Sequence, residues 1–212
     1  MRGSSVLFLL AVGCGSDEAP PDAPSPDAAP QTVELRNDTG VCSAHGEPAP
    51  NQGDWWWAVR LTPPSYPFTI QRVTYRLAGH DMLPNPFSHV CDSAMAHDAR
   101  VFKASGATPP SDPVVLETFD VPTGVTPFLD RLVDHTLATP IRLGADEHVF
   151  IAVRIANLPT AQPYRTMCVH VCSSATTVPM RDYVSQGTTP PFTWRAPSGA
   201  VNFDFRAYGV AQ

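Results

Sequence analysis

The residues best suited to chemistry lie between Gly79 and Asp98, in a segment rich in histidine and aspartate. Together, imidazole and carboxylate groups suit zinc and other transition metals. Their spacing here matches no established ligand motif, and polar residues also collect in loops simply because water solvates them. The segment therefore has two interpretations, a divalent-metal site and a structural polar loop. The groups concerned are His80, Asp81, His89, Asp92, His97 and Asp98.

A second segment, from Met167 to Cys172, supplies a further histidine. Alternation along an extended strand turns its apolar residues toward the core and leaves Cys168, His170 and Cys172 on the outer face. Two residues four apart in such a strand are about 13 Å apart, beyond the limit of about 7 Å between the Cα atoms of a disulfide. Cys168 and Cys172 are therefore not expected to bond each other.

Two disulfides are expected, because an even number of cysteines remains beside Cys14 in a chain that begins with an export signal. Each strand cysteine must then bond one of two loop cysteines, and the choice stays open. Either pairing staples the loops at about 37–53 and 78–98 across the outer face of the strand. His170 thereby joins His80, His89 and His97 as a candidate metal ligand, and no other cofactor is expected. The four cysteines are Cys42, Cys91, Cys168 and Cys172.

The strand predicted from Trp55 to Thr62 is the element around which the others must pack. Alternation places Trp55 and Trp57 inside and turns Trp56 outward beside Arg60, so the strand is expected to be half-buried. An exposed indole next to a guanidinium can stack on a sugar ring or anchor a partner. The plainer interpretation is a ring covered by a neighbouring loop. Trp56 and Arg60 are the candidate ligand-binding residues.

Other outward residues have similar double interpretations. Trp194 and Tyr208 are further candidates for an aromatic platform, although filling the core explains them equally well. Outward arginines recur in several strands, where pairing with Asp204 or Glu117 is the ordinary explanation. These arginines are Arg60, Arg76, Arg154 and Arg206.

A proline-rich corner separates the first strand from a second one, Phe68 to Leu77. Its prolines lack backbone donors and break the strand ladder. Within the second strand Ile70 and Val73 are out of phase, so an extra residue must be absorbed near Gln71. A β-bulge is predicted there.

Short alternating runs continue to the C-terminus, bounded by Pro, Gly, Asn and Asp, and no window of helical length carries a convincing apolar stripe. One stretch, Phe128–Leu137, fits a short helix as well. About ten strands in about 180 residues predict an all-β fold, a two-sheet antiparallel β-sandwich. The strands are expected at Thr32–Arg36, Trp55–Thr62, Phe68–Leu77, Ala99–Lys103, Val114–Asp120, Asp134–Arg142, His148–Ala156, Thr166–Ser173, Thr193–Ala196 and Val201–Tyr208.

Three stretches resemble the jelly-roll or galactose-binding-like accessory domains of secreted bacterial proteins. They are the aromatic-led strand ending at Pro67, the strand Gly144–Arg154 and the C-terminal strand Asn202–Tyr208. The likeness implies a jelly-roll-like sandwich with an adhesive, carbohydrate-binding or purely structural role. Fold by itself does not settle function.

The first thirty residues differ from the rest in composition. Residues 1–13 contain a seven-residue apolar run, too short for a membrane span of about 20 residues, and predict an export signal. Residues 11–14 resemble the lipobox of bacterial lipoproteins, which implies that Cys14 is acylated and holds the chain at the outer membrane or cell surface. Residues 14–30 then form a proline-rich tether, and residues 31–212 form the folded domain.

Charge and motif content argue against two classes of function. Thirteen of the fourteen basic residues are arginine and form no cluster, so nucleic-acid binding is not expected. The usual motifs of serine hydrolases, zinc proteases and phosphate-binding loops are absent, and the strand phases give no facing acidic pair. The sequence predicts a non-catalytic surface lipoprotein that binds an extracellular ligand, either carbohydrate or a cell-envelope partner. The alternative is a structural or metal-binding envelope protein that uses the histidine-rich loop.

Overall fold

The computed structural model describes residues 31–38, 40–48, 52–80, 89–158, 164–172, 181–197 and 201–212. Within these ranges the chain forms strands and no helix, so it has no helix long and apolar enough to cross a bilayer. The signal segment, Cys14 and the tether lie outside the described residues. The strands are β1 (Val33–Leu35), β2 (Cys42–Gly46), β3 (Trp55–Leu61), β4 (Phe68–Ala78), β5 (His89–Cys91), β6 (His97–Ala104), β7 (Val115–Val121), β8 (Arg131–Leu143), β9 (His148–Ile155), β10 (Asn157–Leu158), β11 (Tyr164–Thr166), β12 (Cys168–Cys172), β13 (Asp182–Gln186), β14 (Asn202–Phe203) and β15 (Phe205–Ala211).

Two antiparallel sheets enclose one apolar core. The larger sheet has seven strands in the order β1-β15-β4-β12-β14, with β8 paired to β4 and β2 paired to β12. The smaller sheet has the order β13-β3-β9-β6-β7. A further set of three short strands, β10-β11-β5, includes a parallel pair between β11 and β5. The predicted all-β, two-sheet sandwich is confirmed.

The bulge predicted in β4 is present. The register of β4 against β8 shifts between Ile70 and Arg72, and that of β15 shifts between Tyr208 and Gly209 at the same level. Ile70 and Val73 are both fully buried as a result. The extra residue thus lets both halves of β4 face the same core.

The expectation of a half-buried β3 is wrong, because both of its faces are covered. Trp57 packs in the main core, where its ring stacks on Phe203 with centroids 4.7 Å apart. Trp56 points the other way and contacts Phe192 edge-on, at a centroid distance of 6.1 Å. The chain at 181–197 supplies this cover, since β13 pairs with β3 and leads into the aromatic residues that follow.

Two other local predictions also change. The ambiguous stretch at 128–137 is a strand from Arg131 onward, as part of β8. The strand expected at Thr193–Ala196 is reduced to one bridge, between Val184 and Arg195. The intervening Trp194 instead donates its indole N–H to the carbonyl of Pro110 at 2.9 Å, which holds this segment against the smaller sheet.

Disulfides tie β12 to two other segments, through Cys42–Cys172 and Cys91–Cys168. The prediction that Cys168 and Cys172 bond different partners is confirmed. The stapled segments are partly strands, since Cys42 begins β2 and Cys91 ends β5. Because the staples cover them, both cysteines of β12 are fully buried, while His170 between them keeps some exposure.

Removal of either disulfide should lower the free energy of unfolding by about 2–5 kcal/mol, because each closes a long loop, of 130 and 77 residues in sequence separation. The paired variants Cys42→Ser with Cys172→Ser and Cys91→Ser with Cys168→Ser can be compared by guanidinium unfolding. Non-reducing peptide mapping of the unmodified protein checks the pairing. Unchanged stability in both variants, or a Cys42–Cys91 peptide, would contradict this structure.

Candidate functional site

An open groove of about 460 Å³ crosses the outer face of the larger sheet, and we call it the sheet groove. Side chains of β1, β4, β8, β12 and β15 form most of its walls, because alternation sends every second residue of these strands away from the core. Most of the lining is polar or charged. The lining residues are Glu34, Arg36, Gly40, Cys42, Arg72, Thr74, Arg76, Asp130, Leu132, Asp134, His170, Asp204, Arg206 and Tyr208.

Strand register arranges the floor of the sheet groove in parallel rows. Tyr208 of β15 lies opposite Arg72 of β4. In the next row, Thr74 of β4 lies between Arg206 of β15 and Asp134 of β8. Cross-strand neighbours of this kind lie about 5 Å apart, so the rows bring side chains from three strands into contact.

The charges of the sheet groove are paired with one another. Arg72 contacts Asp134 at 3.0 Å, and Arg76 contacts Asp204 at 3.6 Å. The pairing of Arg76 with Asp204, predicted from the sequence, is thus present. Arg36 lies 3.6 Å from Glu34. The guanidinium groups are therefore held in place by carboxylates.

Arg206 is the anchor of this charge network. Its side chain is only 9% exposed and contacts three carboxylates, at 2.6 Å to Asp38, 2.9 Å to Asp204 and 3.3 Å to Glu34. A guanidinium that buried needs such partners, because an unpaired charge in this position would be costly. The network fixes the end of β15 beside β1.

Tyr208 gives the sheet groove an aromatic member. The guanidinium of Arg72 lies over its ring, 4.0 Å from the centroid. Burial raises the pKa of Tyr208, so its phenol stays protonated and can donate a hydrogen bond. Leu132 adds an apolar side chain that is 57% exposed.

The two residues predicted to bind ligand do not form an exposed platform. Trp56 is only 1% exposed, because Phe192 and the guanidinium of Arg100 lie against its ring. Arg60 instead donates to the carbonyl of Ala107 at 2.9 Å. The expectation of an exposed indole is wrong, since alternation along one strand cannot show that a later segment covers its outer face.

The predicted metal ligands whose side chains the structure describes do not converge. His97 is buried, and both ring nitrogens are occupied: Nδ1 donates to the carbonyl of Met95 at 2.9 Å, and Nε2 accepts from the hydroxyl of Tyr75 at 2.6 Å. Burial lowers the pKa of His97 to about 4, against the opposing effect of the Met95 hydrogen bond. His97 is therefore a neutral core residue.

The other three histidines have separate surroundings. His170 lies in the sheet groove, with Nε2 2.8 Å from the carboxylate of Asp130. His80 is exposed, and its ring lies near that of His45, with centroids 5.3 Å apart. The side chain of His89, like Asp81, lies outside the described residues. Within the described part of the chain, His80, His97 and His170 do not share a metal-binding group.

Sequence alone did not predict most of the sheet groove, nor that the ring of His45 lies beside that of His80. Arg76, Arg206 and Tyr208 were recognisable as outward residues, but only the strand order places them side by side. His45 carried no signal of its own, because the segment around it was predicted to be a loop.

Similar solved structures include a clostridial cysteine protease, Cwp84, after propeptide cleavage. The TM-score is 0.49 at 9% sequence identity, covering 80% of this chain and 38% of that one. A second contains the cysteine protease and lectin-like domains of Cwp84, a surface layer associated protein of Clostridium difficile; the TM-score is 0.43 at 10% identity, covering 76% of this chain and 32% of that one. The chain thus spans about a third of the length of these structures. No protein-family model and no curated protein matches it.

A second buried ionisable group, Asp182, has the opposite response to pH from that of His97. Its carboxylate accepts a hydrogen bond from the backbone N–H of Phe203 at 2.9 Å. Burial nevertheless raises the pKa of Asp182 to about 7, and the nearby charge of Asp38 adds to this effect. Between pH 4 and 6.5, acidification therefore favours folding through Asp182 and disfavours it through His97.

Replacement of Asp182 by Asn removes the opposing contribution of this carboxyl group, so the loss of stability that His97 causes on acidification should become measurable. The pKa of His97 falls from an ordinary 6.5 to about 4 on folding, so the stability it contributes is present above pH 6.5 and lost as the pH falls to 4. We expect the unfolding free energy of Asp182→Asn to drop by up to about 3 kcal/mol over this interval. Urea unfolding from pH 4 to 8 measures it. The variant that also carries His97→Gln should show a flatter profile, and parallel profiles would contradict the assignment.

Proposed function

We propose that this chain is a non-catalytic surface lipoprotein whose sandwich domain binds a neutral, hydroxyl-rich ligand, such as carbohydrate, in the sheet groove. The observation that carries the proposal is a groove on an open sheet face whose many charges are mutually paired.

Charge balance favours an uncharged ligand. The arginines of the sheet groove lie beside carboxylates, and Arg206 has three such neighbours. A polyanion would have to compete with these internal carboxylates, whereas proteins that bind nucleic acid present unpaired positive charge. A neutral ligand leaves the ion pairs intact.

Hydrogen bonding favours hydroxyl groups in particular. The exposed Arg72–Asp134 pair offers guanidinium donors and carboxylate acceptors 3.0 Å apart. A hydroxyl both donates and accepts, so one sugar hydroxyl can satisfy both members of such a pair. Ion pairs also hold these groups in fixed positions before binding, which lowers the entropic cost of association.

Apolar contact is available along the same wall. Leu132 is 57% exposed, and the ring of Tyr208 lies two strands away across β4. Binding sites for small molecules combine a few placed polar groups with aromatic or aliphatic contacts. The C–H faces of a sugar ring fit this combination.

The lipid anchor is part of the same proposal. The lipobox-like residues ending at Cys14 and the proline-rich residues up to 30 support it. An extended tether of this length reaches about 50 Å at about 3.1 Å per residue. β1 is the first strand among the described residues and its Glu34 lines the sheet groove, so the groove would stand off the membrane at the tethered side of the domain.

Glycan binding can be tested with the full chain in detergent, first on a glycan array and then by calorimetry with the best ligand. Arg72→Ala should weaken binding by about tenfold or more, which is about 1.4 kcal/mol, because it removes a donor and frees Asp134. Arg142→Ala is the matched control, an exposed arginine on β8 of the same sheet but outside the groove. Equal binding by both variants would contradict the assignment to this groove.

Membrane attachment gives a separate expectation. In a bacterial host, the unmodified chain should sediment with membranes, and Cys14→Ser should release it, because the thiol is the acylation site that the lipobox resemblance implies. Ser16→Ala serves as the control, since it changes a neighbouring residue and keeps the cysteine. Membrane attachment of Cys14→Ser would contradict lipid anchoring.

A further inference from the structure

The segment that joins β7 to the start of β8 presents apolar side chains to solvent, and we call residues 122–132 the apolar loop. Half of the exposed large apolar side chains in the described part of the chain lie in this one segment. Val125 is 95% exposed and Leu129 is 63% exposed. Exposed apolar clusters mark contact sites for ligands, proteins or membranes. The four side chains are Val125, Phe128, Leu129 and Leu132.

Hydrogen bonds to a buried serine fix the backbone of the apolar loop. Ser93 donates from its hydroxyl to the carbonyl of Leu129 at 2.5 Å and from its N–H to the carbonyl of Pro127 at 3.0 Å. Arg131 donates to the carbonyl of Pro122 at 3.0 Å, which joins the two ends of the loop. Because these carbonyl groups are bound, the apolar side chains are presented on a fixed backbone. A surface fixed in this way loses little conformational entropy when a ligand binds.

The apolar loop is continuous with the sheet groove. Its backbone lies directly on Gly79, where a Cβ atom would overlap the carbonyl group of Leu129. The N–H of Gly79 donates to the carboxylate of Asp130 at 3.2 Å. Asp130 and Leu132 belong to the loop and also line the sheet groove. One ligand can therefore contact both surfaces.

The apolar loop also borders an open cavity of about 340 Å³. Thr123 lines this cavity, and the neighbouring Gly124 donates its N–H to the carbonyl of Ala94, another lining residue, at 2.8 Å. Two charged residues in the lining, Asp92 and Arg165, form an ion pair with each other. The cavity therefore extends the apolar surface of the loop. Its further lining residues are Met95, Ala96, Ala156 and Leu158.

The composition of the apolar loop favours an aliphatic ligand group over a protein or a bilayer. Contact sites for proteins are enriched in Trp, Tyr and Arg, and segments that lie in a bilayer surface carry Lys or Arg on their polar face. The apolar loop contains no Trp, Tyr or Lys. Its one arginine, Arg131, is bound to the carbonyls of Pro122 and Ser93. The loop thus offers plain apolar contact beside a polar groove.

We propose that the ligand of the sheet groove is a glycolipid, whose neutral sugar lies among the paired charges of the groove and whose acyl chain lies on the apolar loop and enters the adjoining cavity. This inference rests on the proposed function, because the groove places the sugar. Removal of an alkyl chain from water adds affinity that a polar groove cannot supply. Leu132 belongs to both surfaces, so the junction of sugar and acyl chain lies beside it.

Full chain in phosphatidylcholine nanodiscs can be titrated by calorimetry with methyl and hexyl glycosides of glucose, galactose, mannose and N-acetylglucosamine, with the heat of empty nanodiscs subtracted. We expect at least one hexyl glycoside to bind about tenfold or more tightly than its methyl counterpart, because burial of two methylene groups already corresponds to about tenfold in affinity. Hexyl phosphocholine has the same chain without a sugar and should bind more weakly than that hexyl glycoside.

Substitutions separate the two parts of the site. Phe128→Ser combined with Leu129→Ser should remove the advantage of the hexyl glycoside and leave binding of the methyl glycoside unchanged. The matched control is Val114→Ser combined with Leu116→Ser, two exposed apolar residues outside the loop. Arg72→Ala should weaken binding of both glycosides to the same degree, because it acts on the sugar.

Thermal unfolding shows whether each variant still folds, and Val125→Ser, compared with Val114→Ser, provides a second pair with a smaller change. Equal binding of methyl and hexyl glycosides would overturn the glycolipid proposal and leave sugar binding in the groove intact. Hexyl phosphocholine that binds as tightly as the hexyl glycosides would show a surface for alkyl chains or bilayers alone, which also overturns it. Unchanged hexyl glycoside binding in both folded loop variants has the same consequence. Absence of binding by every glycoside would overturn the inference together with the proposed function.

Discussion

The strand β12 holds two cysteines four residues apart, and an extended backbone keeps them too far apart to bond each other. Each must therefore reach a different segment, which brings β2 to one part of the strand and β5 to another. The sheet groove depends on this constraint, since Cys42 and His170 both line it. His170, between the two cysteines, lines the groove on its own strand and faces His45 across the strand pair.

The aromatic strand β3 is buried on both faces, although its alternation by itself predicts burial on one face only. Alternation predicts that two of its three successive tryptophans face the main core and that the third faces away. The structure agrees, since Trp55 and Trp57 lie in the main core and Trp56 does not. The chain then returns as β13 and covers the second face with further aromatic residues. A large ring left in water would lose the hydrophobic free energy that this cover recovers.

The outer face of the larger sheet differs from that of β3, because within the described residues no later segment covers it in the same way. Its outward side chains remain polar, and their charges are neutralised within the sheet. Most exposed ion pairs stabilise a fold very little. Here their main effect is to fix donors and acceptors in rows across three strands, and the proposed binding of a neutral polar ligand rests on this arrangement.

Sequence alone determined the all-β class, the position of most strands, the bulge in β4 and the rule that Cys168 and Cys172 must find separate partners. These features depend on local periodicity and on the length of an extended chain, which neighbouring residues fix. Only the tertiary structure decided which cysteine pairs with which, that Trp56 is covered, that His97 is a core residue and that Arg72, Asp134 and Tyr208 share a groove. These outcomes depend on strand order and on which distant segments meet, separated by 62 residues for Arg72 and Asp134 and by 130 for Cys42 and Cys172. Periodicity states which side of a strand a residue occupies, but contact between strands decides what that side meets.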